Sequence, residues 1–358
     1  EWGGFYQYST HSDWDHAHYE KIMGTQAGNM RVYALAYGLY KDPKFLHAAE
    51  KTAGYMARFL MSPEGAFYTS QDADVIQGEH SDEYFLLEDD ERLEEGIPRV
   101  DKNIYSRENG WMIEAMSLVY EVTGDESYLN TATRAARWIV ANRSLESGGF
   151  SHGDQDKGGP FLGDQLGMAR GFLQLYRATA DREWLQRATD LGVFIDANFR
   201  GKEGGFTSAK SSSTPIATVP QIDETISAVR FLNILSHYSG NEAFKESAEF
   251  GMKFLTTESI ALSRLTEAGI LLADRELASD PTHLTILGSK GDTTAQSLYQ
   301  SALRETQWYK RIEWWDYAEG KLPNPDVQYP KMNKAAAFVC TDSRCSLPIF
   351  KADGIGKI

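Results

Sequence analysis

Asp181-Arg-Glu-Trp-Leu-Gln-Arg-Ala188 carries an Asp, an aromatic residue three positions on, a Leu beside it and an Ala three beyond that. An Asp side chain accepts from the free N–H groups of a helix's first turn, and the aromatic, Leu and Ala fall on one helical face, so the stretch starts a helix. The pattern recurs in Asp42-Pro-Lys-Phe-Leu-His-Ala-Ala49, Asp125-Glu-Ser-Tyr-Leu-Asn-Thr-Ala132 and Asn241-Glu-Ala-Phe-Lys-Glu-Ser-Ala248, at intervals of 83, 56 and 60 residues. Pro43 stands at the first helical position, where a missing N–H costs least. Ahead of each copy lies a second apolar-periodic stretch ending in a small-residue turn, over 30–40, 111–123, 167–179 and 226–239. The repeated unit is a helical hairpin of inner helix, tight turn and outer helix.

A second repeat interlocks with the first. Gly3-Gly4-Phe5, Gly65-Ala66-Phe67, Gly148-Gly149-Phe150 and Gly204-Gly205-Phe206 fall between hairpins, where Gly permits a turn and Phe plugs the surface beneath it. Hairpins joined in this way predict a toroid of inner and outer helices, with the loops crowded at one end around a central cavity. Four hairpins and a further helix over 259–279 fall short of six pairs, so the toroid is expected to be N-terminally incomplete and to be closed by an upstream segment. Residues 66–107 are too long and too rich in Tyr, Phe, Asp and Gly for a turn and are expected to form an inserted β-rich loop. The toroid is expected to span 1–280. Beyond it, 281–358 reads as a small α/β appendage, with strands over 282–287, 311–317 and 335–340 and a helix over 292–306.

With 42% hydrophobic and 24% charged residues, the 358-residue chain is ordinary globular material. Its formal charge of -15 and its lack of a Lys/Arg run exclude a general nucleic-acid surface. No apolar stretch approaches the roughly 20 residues of a membrane span, and no signal peptide is evident, so a soluble cytoplasmic or organellar protein is expected. Cys340 and Cys345 are the only cysteines, which excludes a disulfide framework and reads as two structural thiols or one local bridge.

Further motifs carry a resemblance. Gly3-Gly-Phe-Tyr-Gln-Tyr-Ser9, Trp14, His18-Tyr-Glu-Lys21, Phe67-Tyr-Thr-Ser-Gln-Asp-Ala-Asp74, Glu83-Tyr-Phe85, Asn109-Gly-Trp-Met-Ile113, Asp164 and Ala337-Phe-Val-Cys340 follow one another in the order of a known family. The chain resembles the thioredoxin-domain-containing proteins typified by spermatogenesis-associated protein 20 and its bacterial homologues. The resemblance implies a mainly α fold, an (α/α)6 six-hairpin toroid similar to that of N-acylglucosamine 2-epimerases, here without the thioredoxin-like domain that precedes it in the family. The chain departs from the family's pattern at Ala17, at Gly24-Thr25-Gln26 and at Gln221-Ile-Asp-Glu224.

The toroid and the resemblance together point to a domain that binds or modifies carbohydrate. His18 and Glu20 are the acid-base candidates, because moving a proton beside a sugar carbonyl needs a base and an acid. Asp72, Asp74, Glu83, Asn109, His152, Asp164 and Glu224 are expected to shape the substrate pocket. The structural alternative has Asp72 and Asp74 capping turns or pairing with Arg in their loop, and His18, Glu20 and Lys21 forming a buried hub. In an extended segment His16, His18 and Glu20 would share one side, but His-x-His spacing within one segment is weak, and neither metal nor cofactor is expected. The expected partner is a small carbohydrate. Alternatives are a catalytically lapsed scaffold or assembly subunit, suggested by the departures above, and a partner of a thioredoxin-like redox domain, which would rest on Cys340 and Cys345.

Overall fold

The computed structural model describes residues 2–13, 15–79, 81–155, 158–210, 218–341 and 344–357; Trp14 of the opening motif lies outside them. The chain begins with a two-strand hairpin of β1 (Tyr8–Ser9) and β2 (Ala17–His18), followed by β3 (Lys21–Ile22). Next come α1 (Met23–Tyr40) and α2 (Pro43–Phe59), then β4 (Ser70–Gln71), α3 (Asp82–Leu86), α4 (Asp89–Glu95) and β5 (Val100–Asp101). Three further hairpins follow: α5 (Ser106–Thr123) with α6 (Glu126–Arg143), α7 (Leu162–Thr179) with α8 (Arg182–Phe199), and α9 (Ile222–Ser239) with α10 (Glu242–Leu255). All four inner helices, α1, α5, α7 and α9, have 18 residues.

One turn serves all four hairpins. Each inner helix ends on a left-handed residue, Lys41, Gly124, Ala180 or Gly240, whose N–H returns to a carbonyl of the last turn. The next residue, Asp42, Asp125, Asp181 or Asn241, caps the outer helix by accepting from the N–H two positions on. Lys41 and Ala180 hold φ near +56 and +53, a conformation that disfavours a side chain by about 1–2 kcal/mol, so the turn is imposed by the packing of its helices.

The Gly-Phe loops are held by one device. Gln26 accepts from the Phe5 N–H and donates to the Phe5 carbonyl, both at 2.7 Å. Asn109 does the same to Phe67 (2.8 and 3.0 Å) and Gln165 to Phe150 (2.8 and 2.9 Å), while the Thr225 hydroxyl serves Phe206 more loosely (3.2 and 3.5 Å). In each case the clamping side chain is the fourth residue of its inner helix and is buried. The loops are thereby tied to the N-terminal ends of the inner helices. Glycine does separate work where α5 meets α7: a Cβ on Gly110 would lie 2.2 Å from the backbone of Gly167, so the two helices touch main chain to main chain.

Residues 66–107 differ from the expected β-rich loop. Two strands of two residues flank two short helices, because Asp82, Glu83 and the run Asp89–Glu91 place acids at helix N-termini and Glu88 with Glu91 completes a capping box. The helix expected over 259–279 is broken into α11 (Glu258–Ser263) and α12 (Gly269–Leu277). Arg264 binds Glu267 and Asp223 at the break, and Gly269 lets α12 approach Ile226 of α9.

In the C-terminal part β6 (Thr282–Leu287) lies between a parallel β7 (Lys310–Trp315) and an antiparallel β8 (Ala336–Thr341), with β9 (Arg344–Cys345) at the edge. The crossover from β6 to β7 is α13 (Thr293–Leu303), capped by Asp292. Leu284, Ile286, Leu298 and Ile312 join the same apolar core as the inner helices. Cys340 and Cys345 form a disulfide across β8 and β9, the local bridge of the two expected readings. No helix among the described residues is long and apolar enough to cross a membrane.

Candidate functional site

Counting each inner helix from its first residue brings chemistry into columns. Position 3, beside the clamp, holds Thr25, Glu108, Asp164 and Glu224; position 9 holds Arg31, Glu114, Arg170 and Arg230. Three acids thus gather at the loop end, and four charged residues form a level about 9 Å deeper, six residues at 1.5 Å each.

The loop-end cluster centres on Asp164, which is 1% exposed. Its Oδ1 accepts from the Arg107 N–H at 3.0 Å and lies 2.9 Å from His152 Nδ1. Tyr105 stacks on the His152 ring with centroids 4.0 Å apart. The Arg107 guanidinium donates twice to Glu108 Oε1 (3.1 and 2.8 Å) and sits over the Trp111 ring. A Cβ on Gly163 would meet both Arg107 and Glu224 Oε1 at 3.0 Å, so a bare glycine lets these two groups approach. One carboxylate oxygen each of Glu108, Asp164 and Glu224 is buried with no hydrogen-bond partner among the described residues.

These environments separate the proton affinities. Burial pushes the Asp164 carboxyl above the usual carboxylate range, against the opposing pull of His152. Glu224 is also raised, first by burial and against the nearby Arg107. The hydrogen bond to Asp164 raises His152 in turn. The cluster offers a buried acid, a histidine with a raised proton affinity and a cation, which are the parts of an acid-base site.

Further along the inner helices lies a cavity of about 480 Å³ between α1, α5, α7, α9, α12 and residues 308–310, lined by Asp223 toward the loop end but not by Asp164, His152 or Glu224 themselves. Its charges are mostly paired. Glu114 meets Arg170 at 2.8 Å and Arg31 at 3.7 Å, and Arg230 grips Glu276 with two bonds. Burial alone would push Glu114 up, but Arg170 and Arg31 outweigh it and hold the carboxyl at about 2. Deeper, Arg177 holds Glu121 in the same two-bonded manner.

Of the residues expected from sequence, the fold brings His152, Asp164 and Glu224 together. His18 and Glu20 stand 3.8 Å apart on the β1–β2 side, each about one-third exposed, and no hydrogen bond or ion pair among the described residues links them to Asp164. Asp72 caps its own loop and pairs with Arg99 at 3.3 Å, Asp74 accepts from the Gly78 N–H, and Glu83 is exposed in the first turn of α3. Asn109 is corrected from a substrate ligand to a clamp, because its amide is used up by Phe67 and the Tyr105 carbonyl. Among the described residues His16, His18 and Glu20 do not gather as a ligand group; His11, Asp13 and His16 instead bring one ligand atom each within 4.8 Å of one another, all three exposed. Arg107, Glu108 and the position-9 residues were not singled out from sequence. Aligning the inner helices on Gln26, Asn109, Gln165 and Thr225 would have found them, since the acids then stand in one column and the arginines in another.

No family model matches the chain. Over 71 residues, 20% of this chain and 9% of the other, it is 37% identical to spermatogenesis-associated protein 20 of Homo sapiens. The match takes in less than a tenth of the human protein's length. In solved structures the fold is similar to that of a sugar epimerase from a ruminal bacterium, with a TM-score of 0.56 and 14% identity over 78% of this chain and 79% of that one. It is also similar to cellobiose 2-epimerase from Spirochaeta thermophila, with a TM-score of 0.57 and 14% identity over 77% of each chain. At such identity the likeness is one of fold, and it is that of the (α/α)6 toroid.

Proposed function

We propose that the axial cavity binds a carbohydrate and that His152 and Asp164 move protons on it. The observation that carries this reading is the buried Asp164, raised in proton affinity, bonded to His152 through one oxygen and with the other unengaged. A proton beside a sugar carbonyl can be taken by one member of such a pair and returned by another group, with Glu224 as the second carboxyl. The sugar-epimerase fold supports carbohydrate as the substrate class. Incubating the protein with cellobiose or mannose in D2O and following the C2 proton by NMR tests this. Deuterium at C2 that disappears in Asp164→Asn supports it; no exchange and no binding of either sugar would sink it.

A second reading, an assembly subunit, has one observation in its favour. Val32 and Leu39 are exposed apolar residues on α1, 61% and 56% accessible, next to Leu35, which lines the cavity itself. The open cavity argues against the blocked pocket that a lapsed enzyme would have. A thioredoxin-like partner would meet no free thiol, since both cysteines are bonded to each other.

A further inference from the structure

The position-9 level is out of electrical balance. Arg31, Arg170 and Arg230 face only Glu114 and Glu276 there, and Asp223 at the margin is engaged by Arg264. Arg230 has two bonds to Glu276, and Arg170 has one to Glu114 and one to the Ser227 hydroxyl. Arg31 is the guanidinium left over. Among the described residues it makes no hydrogen bond, and its one ionic contact is the Glu114 oxygen that Arg170 already holds, 3.7 Å away. Its side chain lines the cavity and is about one-third accessible. Lys310 lines the cavity too, its ammonium turned to the carbonyls of Leu303 and Glu305; burial pulls it down to about 8, so it adds positive charge there near neutral pH and loses it as pH rises.

We propose that the cavity's ligand is a sugar bearing an oxyanion, a phosphate or a carboxylate, and that Arg31 anchors that group. This rests on the carbohydrate reading above and narrows it. A guanidinium with unused donors at a net-positive level is matched by a planar or tetrahedral oxyanion, which takes two parallel N–H bonds. The spacing agrees. Position 9 lies about 9 Å along the helix axis from position 3, so an anion anchored at Arg31 would direct the rest of the sugar toward the loop end, where Asp223 lines the cavity. Arg31 is itself lowered from its ordinary range: Glu114 opposes that, but burial and the guanidiniums of Arg170, Arg230 and Arg177 prevail. An incoming anion relieves that repulsion.

The test is isothermal titration of the whole chain with glucose, glucose 6-phosphate, glucuronate and inorganic phosphate, in wild type, Arg31→Gln and Arg31→Lys. One of the two anionic sugars is expected to bind at least about tenfold more tightly than glucose, and which one does so separates phosphate from carboxylate as the source. Arg31→Gln is expected to bring the preferred anionic sugar down to the affinity that the same variant shows for glucose, with Arg31→Lys in between because it keeps the charge without the fork. A cooperative urea-unfolding transition in each variant shows that it is folded. Glucose that binds as well as both anionic sugars overturns the proposal and leaves the carbohydrate reading standing. Absence of binding by all three sugars overturns both. Inorganic phosphate binding as tightly as glucose 6-phosphate, or an Arg31→Gln variant that keeps the full advantage, also overturns the proposal.

Discussion

The hairpins begun by α1 and α7 share a frame column by column. Both carry Gly at position 2 (Gly24, Gly163), Gln at position 4 (Gln26, Gln165) and Arg at position 9 (Arg31, Arg170), and both glutamines clamp a phenylalanine through the same pair of bonds. They differ at position 3, where α1 has Thr25 and α7 has Asp164, and in the preceding loop, which supplies His152 to α7 only. The clamp column builds the toroid; the column beside it is free to vary. Scaffold and chemistry are therefore specified by adjacent but separate residues.

The largest expected effect comes from breaking the difference. Asp164→Asn should lower turnover by about a thousandfold in the deuterium-exchange assay, within the range for losing a general acid or base, while Thr25→Ala leaves it unaltered. Loss of activity in both would mean that the two sectors act alike. Breaking what they share comes next. Gln165→Ala leaves the N–H and carbonyl of the buried Phe150 unpaired and should cost about 2–4 kcal/mol in urea unfolding. Gln26→Ala should cost less, about 1–2 kcal/mol, because Phe5 is only half-buried and water can reach its backbone. Equal costs would show that burial does not set the strength of the clamp.

A smaller effect separates the sectors by pH. Asp164 raises His152 above its ordinary value of 6.5, so the stabilisation from this pair is fully present below that value and fades as pH rises through the higher folded value. The difference in urea stability between wild type and His152→Gln should shrink as pH rises above His152's ordinary value of 6.5, whereas a Thr25→Ala pair of curves should stay parallel. A gap that widens with pH would contradict the bond to Asp164. Smallest is Thr25→Asp, which copies the α7 column into α1. An acid in the first turn faces the positive end of the helix, so stability should change by no more than about 0.5 kcal/mol.

The hairpins were legible in the sequence because their signals are local: Asp42, Asp125, Asp181 and Asn241 cap the helices they were expected to cap. Strand 282–287 was legible from its β-branched and apolar run. The break at 264–268 was hidden, since it depends on Arg264 meeting Asp223 some 41 residues away. The site was less legible for the same reason. Asp164, His152 and Glu224 were named, but His18 and Glu20 were ranked above them because a dense polar stretch stands out in one dimension. Burial sets Asp164 apart, since it is nearly sealed, whereas His18, Glu20 and His152 itself each remain about one-third open to solvent.

The equal length of the inner helices has a geometric outcome. Positions 2, 9 and 16 recur every seven residues, whereas two turns of helix take 7.2, so each layer lags the one above by about 20°. In α5, where these positions hold Arg107, Glu114 and Glu121, the charges consequently trace a shallow left-handed thread instead of a straight column. Were a ligand to pass along that face, a molecule and its mirror image would meet the thread differently before any single contact is made.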